Sequence, residues 1–384
     1  MDLKFYVHWP FCKSLCPYCD FNSFVADDFD RKAFLQGYLA EIDFYAEKIA
    51  HSHLVSTIFF GGGTPSLMFP AEVSVILERI YAKFRCRENL EITLEANPTS
   101  SEAQKFEGYI AAGVNRISIG VQSFDEANLR ILGRKHSKNE AISAIETAQK
   151  FCKNTSFDLM YGVTNQTVED WARELDFAAK TFEISHISAY NLTIEKGTEF
   201  FSMRQKGLLE LPKSEEIEKM YQITGEVLEN YNFQRYEVSN YAKNGMKSQH
   251  NMGYWQIRDY VGIGAGAHGR IVIDGTRFET MNHHLPAKWA ENMAKNGNAL
   301  QTFRQIERQN QVYEILLMGL RIFEGIDVQE VKNRLGVDIF LEISEKKLEN
   351  FISQGMLIVE NGRIAPSSQG ISFVNYIVKC LTEG

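Results

Sequence analysis

Six apolar, β-prone runs alternate with amphipathic stretches over the first half of the chain. Strands are predicted at residues 5–9, 56–63, 90–98, 115–124, 156–162 and 184–193. Helices are predicted between them, at residues 31–50, 70–84, 101–112, 138–152 and 168–181. Strands buried on both faces and joined by crossover helices indicate parallel βαβ units. The chain is therefore predicted to be α/β, and this periodicity fits a doubly wound sheet as well as an incomplete barrel.

The pattern changes after about residue 300. A long helix is predicted over 304–323, followed by two shorter helical segments and a hairpin over 356–368 that turns at Asn361-Gly362. This layout is typical of a small winged-helix-like module. From residue 301 onward the chain has nine Lys or Arg against eleven Asp or Glu residues. The module is therefore not basic, and its shape is no argument for DNA binding.

Composition limits the class of protein further. The chain has 384 residues, 44% of them hydrophobic and 23% charged, as expected for a globular protein with one large and one smaller domain. Its formal net charge of −8 argues against broad nucleic-acid binding. No apolar run reaches the ~20 residues of a membrane span, and the opening segment lacks the layout of a secretion signal. We expect a cytoplasmic protein that acts on small molecules.

Polar and glycine-rich segments follow four of the predicted strands. They are GGGTPS (61–66), EANP (95–98), GVQSF (120–124) and DLMYG (158–162). Because ligand sites in parallel α/β folds gather at the carboxyl ends of the strands, we expect these segments to converge on one pocket.

Three cysteines lie close together near the start of the chain, as C-x-x-x-C-x-x-C. Cys12, Cys16 and Cys19 could hold a 4Fe-4S cubane, whose fourth iron they would leave open, or three of the four ligands of a zinc ion. For zinc the fourth ligand is hard to find, although His8 could serve. The remaining thiols, Cys86, Cys152 and Cys380, lie far away without paired spacing and are interpreted as buried or incidental.

The segment YVHWPFCKSLCPYCDF resembles the signature of the radical S-adenosylmethionine (SAM) superfamily, specifically its coproporphyrinogen-dehydrogenase-like branch. The resemblance implies that Cys12, Cys16 and Cys19 bind a 4Fe-4S cluster, with SAM chelating the open iron. It also implies a fold, a partial six-stranded (β/α) barrel carrying the small C-terminal winged-helix-like domain.

The same resemblance assigns a set of residues to SAM. These are Tyr6, Tyr18, Gly62, Gly63, Thr64, Glu95, Gln122, Arg134 and Asp158. By this resemblance the glycine loop and Glu95 face the methionine end, and Arg134 pairs with the carboxylate. Gln122 and Asp158 suit the ribose hydroxyls, and the two tyrosines flank the cysteines as aromatic contacts.

The branch holds two different functions. Oxygen-independent coproporphyrinogen III oxidases, which decarboxylate a porphyrinogen, typically extend the signature to a fourth cysteine and carry an N-terminal arm. Here Phe21 stands at that place, and the first cysteine is already at position 12. Both departures favour the haem chaperone family HemW, whose members bind haem and transfer it to acceptor proteins. The oxidase is the alternative, and whether the chain is an enzyme stays open.

The segment 235–270 contains HNMGYW, which matches the HNxxYW motif associated with haem in the chaperone family. An imidazole can ligate haem iron and aromatic rings can pack on the macrocycle, so His250, Tyr254 and Trp255 are the candidate haem residues. The motif does not fix the axial ligand, and His268 or a cysteine remains open. His283-His284 is interpreted as a solvent-exposed pair.

These interpretations divide the chain into three parts. Residues 1–235 are expected to form the partial barrel with the cluster loop, residues 236–300 a connecting segment with the HNxxYW motif over the barrel, and residues 301–384 the winged-helix-like domain. Haem is the expected cargo. The acceptor is not identified and could be membrane-associated, and we expect no nucleic-acid partner.

Overall fold

The structure is a computed structural model that describes residues 1–26 and 28–382. Its strands are β1 (Asp2–Trp9), β2 (Phe11–Cys12), β3 (Phe24–Val25), β4 (Leu54–Gly62), β5 (Arg85–Ala96), β6 (Arg116–Gln122), β7 (Thr155–Tyr161), β8 (His186–Asn191), β9 (Gln234–Arg235), β10 (Asn240–Ala242), β11 (Asp259–Ile263), β12 (His268–Ile273), β13 (Thr276–Asn282), β14 (Leu300–Gln305), β15 (Ile326–Asp327), β16 (Leu357–Glu360) and β17 (Arg363–Pro366).

The α-helices are α1 (Arg31–Ile49), α2 (Pro70–Lys83), α3 (Ser100–Ala103), α4 (Phe106–Ala111), α5 (Glu126–Ile131), α6 (Lys138–Phe151), α7 (Val168–Thr181), α8 (Glu199–Gln205), α9 (Ser214–Glu229), α10 (Gln249–Trp255), α11 (Pro286–Asn296), α12 (Arg308–Gly319), α13 (Val328–Leu335), α14 (Ile339–Glu342), α15 (Glu345–Ser353) and α16 (Val374–Thr382). Among the described residues, no helix has both the length and the apolar character that crossing a membrane requires.

The six predicted strands are β1 and β4 to β8, and they pair in parallel in chain order. Side chains from all six strands line one internal cavity of about 160 Å³, so the sheet curls around its interior. The prediction of an α/β fold with a partial barrel is confirmed.

Crossover helices cover the outside of this sheet. Their sequences determine both the apolar face that packs on the sheet and the residue at which each helix begins. In α6 the buried positions Ala141, Ala144, Ile145 and Ala148 follow helical spacing. The helix begins where the Ser137 side chain accepts from the backbone N–H of Glu140, whose carboxylate in turn accepts from Ser137, a capping box. Helix α7 begins in the same way at Thr167.

The sheet continues past both edges of the barrel strands. β11 pairs in parallel with the outer edge of β1, and β12, β13 and β14 follow it in antiparallel order. At the other end β10 pairs antiparallel with β8. Residues 236–300 were expected to connect the domains and lie over the barrel. Instead they supply strands of the sheet. Helix α10 also reaches the barrel interior, where its residues His250 and Tyr254 line the small cavity.

The C-terminal module has its own apolar core, which includes Ile315, Val337, Ile364 and Ile377. A three-stranded sheet in the order β15-β17-β16 carries the predicted hairpin, which turns at Asn361-Gly362 with φ values of 51° and 74°. Positive φ at both turn residues matches the twist of an antiparallel pair. The predicted winged hairpin is therefore present.

Candidate functional site

A large cavity of about 600 Å³ opens at the carboxyl ends of the barrel strands. Its lining includes all three clustered cysteines. Cys12 ends β2, and the backbone N–H of Cys19 donates to the Cys16 carbonyl at 3.1 Å, so the loop closes in a turn. All three thiols are partly exposed and none forms a disulfide.

The glycine loop that follows β4 packs directly on the cysteine loop. The N–H of Gly63 donates to the Trp9 carbonyl at 2.7 Å, and the Thr64 hydroxyl donates to the Cys12 thiol at 3.3 Å. A Cβ on Gly63 would lie 2.9 Å from the Phe11 carbonyl oxygen and 3.0 Å from the Cys12 sulfur. Only glycine leaves room for this approach.

Arg134 is directed at the same thiols. Its Nη1 lies 3.5 Å from the Cys16 sulfur, and its Nη2 donates to the Asn97 side-chain oxygen and to the Gly120 carbonyl, each at 2.7 Å. The buried Nε has no hydrogen-bond partner in the protein. Burial lowers the pKa of Arg134, but the neighbouring Tyr18 and Cys16 outweigh it and the net shift is upward. A fixed positive charge therefore stands beside the cysteine loop with one donor still free.

Two buried carboxyl groups form the floor of the cavity. Burial, together with the nearby Asp158, raises the pKa of Glu95 to about 8, although the Gly62 N–H donates to Glu95 at 3.3 Å. Burial also raises the pKa of Asp158, against the opposing effect of Ser188 and Arg116. Ionising these buried groups costs free energy because they are shielded from water. A cationic or hydroxyl-bearing ligand would therefore be well matched to them.

Gln122 ends β6 with φ of 66°, an unusual value for a residue other than glycine. The pairing of β6 with β7 shifts register between Ile119 and Gln122. The side-chain amide lies over Gly120, where a Cβ would come within 3.0 Å of its Nε2. The irregular strand end thus directs the amide into the cavity instead of along the sheet.

The two predicted tyrosines occupy different levels. Tyr18 lines the large cavity between the thiols and Arg134, and packs on Phe200 with ring centres 6.3 Å apart. Tyr6 lies below it, lines the smaller cavity and has its hydroxyl 3.2 Å from Nδ1 of His8. Burial raises the pKa of both hydroxyl groups, so both stay protonated.

His250 is enclosed in the barrel. Its Nδ1 lies 2.7 Å from the Thr57 hydroxyl and its Nε2 lies 2.8 Å from the Tyr254 hydroxyl. The ring stacks on Phe59 at 4.9 Å, and burial holds its pKa well below the usual range. Glu91 accepts from the N–H of His250 and fixes the start of α10. Both ring nitrogens of His250 are thus engaged by protein groups, and haem ligation by His250 stays a prediction that requires one of these hydrogen bonds to break.

Trp255 lies outside the barrel interior. It lines a small space between α10 and the C-terminal module, and Arg321 sits 5.5 Å from its ring centre. The three candidate haem residues therefore do not share one ligand pocket.

The zinc interpretation loses its fourth ligand. His8 is buried, and its two ring nitrogens are engaged by the Tyr6 hydroxyl and the Asn22 carbonyl. Cys152 is buried, and neither it nor Cys86 or Cys380 lines the large cavity.

Several residues of the site were missed by the sequence reasoning. Asn97 joins Thr64 to Arg134, donating to the Thr64 hydroxyl at 3.2 Å. Arg116 and His186 form a buried polar layer between the carboxyl groups and α10. Their signal was a polar residue at alternating positions of otherwise apolar strands, as in RISIG and HISAY. Interior polar positions of this kind are expected where a barrel encloses a ligand.

Two protein-family models match this chain, one in the barrel and one in the C-terminal module. The Radical SAM superfamily model matches residues 6–178, and the HemN C-terminal domain model matches residues 306–373.

Several curated relatives match over most of their length. The heme chaperone HemW of Haemophilus influenzae is 35% identical, with 94% of this chain and 92% of that protein covered. HemW of Escherichia coli is 34% identical, with 94% and 95% covered. The mitochondrial radical S-adenosyl methionine domain-containing protein 1 of Mus musculus is 35% identical, with 98% and 86% covered.

Among solved structures, the radical SAM enzyme coproporphyrinogen III oxidase (HemN) from Escherichia coli superposes with a TM-score of 0.80. The sequences are 23% identical, and the match covers 98% of this chain and 89% of that one. This likeness concerns the fold alone.

Proposed function

Because this chain belongs to the radical SAM superfamily and, within it, to the family of the HemW heme chaperones, we propose that it binds haem and delivers it to an acceptor protein. The observation that carries the choice is Phe21. It stands where the oxidase signature has a further cysteine, and it lines the cavity with 62% of its surface exposed.

The resident groups of this family are a 4Fe-4S cluster and SAM, which when bound supply one-electron chemistry. The residues present fit both: three thiols without disulfides line one cavity, and Gly63 allows the glycine loop to approach Cys12. In our proposal Cys12, Cys16 and Cys19 hold the cluster. Thr64 and Arg134 donate to the Cys12 and Cys16 sulfurs and hold them in position.

The remaining cavity residues suit SAM by their chemistry. We assign the carboxylate to the free Nε of Arg134, and the ammonium to Glu95 beside the glycine loop. Asp158 and Gln122 have the capacity to bond the ribose hydroxyls. Tyr18 shields the ligand from solvent. Tyr6 lies beneath the floor of the cavity, where its hydroxyl contacts His8.

The cargo, its acceptor and the compartment are also part of the proposal. The free thiols suit a reducing compartment, and we place the chain in the cytoplasm. The acceptor is a protein, either soluble or bound to a membrane. Nucleic acid is not a partner, since the formal net charge is −8.

Two assays on anaerobically reconstituted protein decide between chaperone and oxidase. We expect hemin titration to give a Soret change that saturates near one equivalent, and we expect reduced, SAM-supplied protein to leave coproporphyrinogen III unconverted. Conversion of that porphyrinogen, or a Soret change that never saturates, would overturn the proposal.

A further inference from the structure

A pair of histidines lies on the rim of the barrel, where β12 begins and β13 ends. His268 is the first residue of β12, and His284 follows the end of β13 by two positions. Their ring centres are 6.4 Å apart, with 58° between the ring planes. Since β11 runs parallel to β1 and the chain turns back at once into β12, this rim is on the cysteine-loop side of the sheet.

These two rings differ from the five buried histidines of the chain. Both residues are exposed, and neither ring has a hydrogen-bond partner in the described part of the protein. By contrast, the buried histidines His8, His53, His136, His186 and His250 each have a ring nitrogen engaged by a protein group. The exposed pair therefore has free nitrogens at a short mutual distance.

The backbone beneath the pair is held firmly against the cysteine loop. Asn22, three residues after Cys19, donates from its amide to the carbonyls of Ala265 and His284, each at 3.0 Å. Gly266 packs so closely on Asn22 that a Cβ would collide with its amide. The buried carboxylate of Glu41 accepts from the Gly264 N–H at 2.8 Å. The loop is thus positioned before any ligand arrives.

Two exposed apolar residues adjoin this place in the sequence. Phe21 adjoins Asn22 in sequence and is 62% exposed, and Leu285 adjoins His284 and is 61% exposed. The hydrogen bond between Asn22 and His284 joins the two segments that carry them. Exposed apolar residues on the segments that carry unpartnered imidazoles suit a ligand with a flat apolar body and a metal at its centre.

The spacing also fits a shared metal. The point midway between the two ring centres is 3.2 Å from each. A coordinating imidazole nitrogen lies about 2.1 Å from a metal, which places the ring centre about 3 Å from it. Iron in a porphyrin can accept one such nitrogen on each face.

We propose that His268 and His284 are the two axial ligands of the haem that this chain carries, with Phe21 and Leu285 beside the porphyrin. This assignment rests on the proposed function, because it names the haem site of that function. It places the cargo on the rim beside the cysteine loop and leaves His250 inside the barrel.

Hemin titration of the full chain tests the assignment, using His268→Ala, His284→Ala and the double variant. The matched control is His51→Ala, an exposed histidine before β4 at the opposite end of the strands. We expect wild type and control to show a six-coordinate low-spin spectrum. Each single variant should become five-coordinate and high-spin, with Kd raised about tenfold or more, and the double variant should lose saturable binding.

Two further outcomes separate the claims. If wild type does not bind hemin saturably, the proposed function itself fails. If wild type binds hemin and the double variant gives the same spectrum and Kd, the function stands and the assignment of the pair is overturned. A zinc titration forms the third arm: a pair that binds zinc, while its loss leaves hemin binding unchanged, also overturns the assignment.

Discussion

The Tyr254 hydroxyl lies 2.8 Å from Nε2 of His250, one helical turn away on α10. Two residues of the HNxxYW motif are therefore hydrogen-bonded to each other. The other ring nitrogen is engaged by Thr57 at 2.7 Å. His250 and Tyr254 therefore serve to anchor α10 beneath the cavity, and Trp255 faces the C-terminal module.

Replacing His250 by alanine should destabilise the fold more than it weakens haem binding. The change leaves a cavity and two buried hydroxyl groups without their partner, which costs about 2–4 kcal/mol in the free energy of unfolding. Urea denaturation measures that loss, and hemin titration of the folded protein should give a Kd within about twofold of wild type. Unchanged stability together with lost hemin binding would show that this ring leaves the barrel to bind iron.

Gly63→Ala should prevent cluster assembly. The new methyl group would press on the Cys12 sulfur and on the backbone of the cysteine loop, where the ideal Cβ comes within 3.0 Å of that sulfur. Iron and acid-labile sulfide per chain after anaerobic reconstitution give the readout. Gly225→Ala is the matched control, because it lies in α9 with only the Arg235 side chain nearby, at 3.7 Å. Equal iron content in the two variants would contradict the role of the glycine loop.

Arg134→Lys should weaken SAM binding while the cluster is retained. Lysine keeps the charge but cannot bond Asn97 and Gly120 and still present a second nitrogen to a carboxylate. We expect the Kd for SAM, measured by anaerobic calorimetry, to rise about tenfold. Arg130→Lys, on the exposed side of α5, should match wild type. A Kd unchanged by Arg134→Lys would refute the assigned carboxylate contact.

The stability of the protein should fall as pH rises from the ordinary pKa of a glutamate to that of Glu41. Burial raises the pKa of Glu41 from 4.5 to about 8, although Gly264 and Asn282 donate hydrogen bonds to it. Between these values the unfolded chain releases a proton that the folded chain keeps. The folded state thus loses up to about 1.4 kcal/mol per pH unit relative to Glu41→Gln, and above pH 8 no further difference accumulates.

Chemical denaturation at pH 5, 6.5 and 8 measures this difference between wild type and Glu41→Gln. Glu47→Gln, an exposed position on the same helix, should show no such trend. A constant difference between wild type and Glu41→Gln across the series would mean that Glu41 titrates normally in the folded protein.

The barrel strands could be predicted because each contains an apolar, β-prone run, as expected for parallel strands covered by helices. The position of β11 could not be predicted. It pairs with β1 across more than 250 residues of chain, and no local pattern encodes a contact of that separation. The same long-range pairing brings His268 and His284 beside the cysteine loop.

Some residues of the candidate site could likewise be predicted from the sequence, and others could not. Arg134 and Glu95 were accessible to sequence reasoning because they stand beside strand ends or glycine turns. Asn97 was missed, since its part in the site is to connect Thr64 with Arg134, and such a link appears only when three loops meet. The enclosure of His250 was missed because a short helical segment gives no sign of whether it covers the barrel or enters it.

One anaerobically reconstituted sample tests the account most directly, with iron, sulfide and hemin measured on the same protein. We expect about four irons and four sulfides per chain, and a hemin titration that ends at one equivalent with an intact cluster. Zinc in place of iron, an absence of sulfide, or hemin uptake without a saturation point would contradict it.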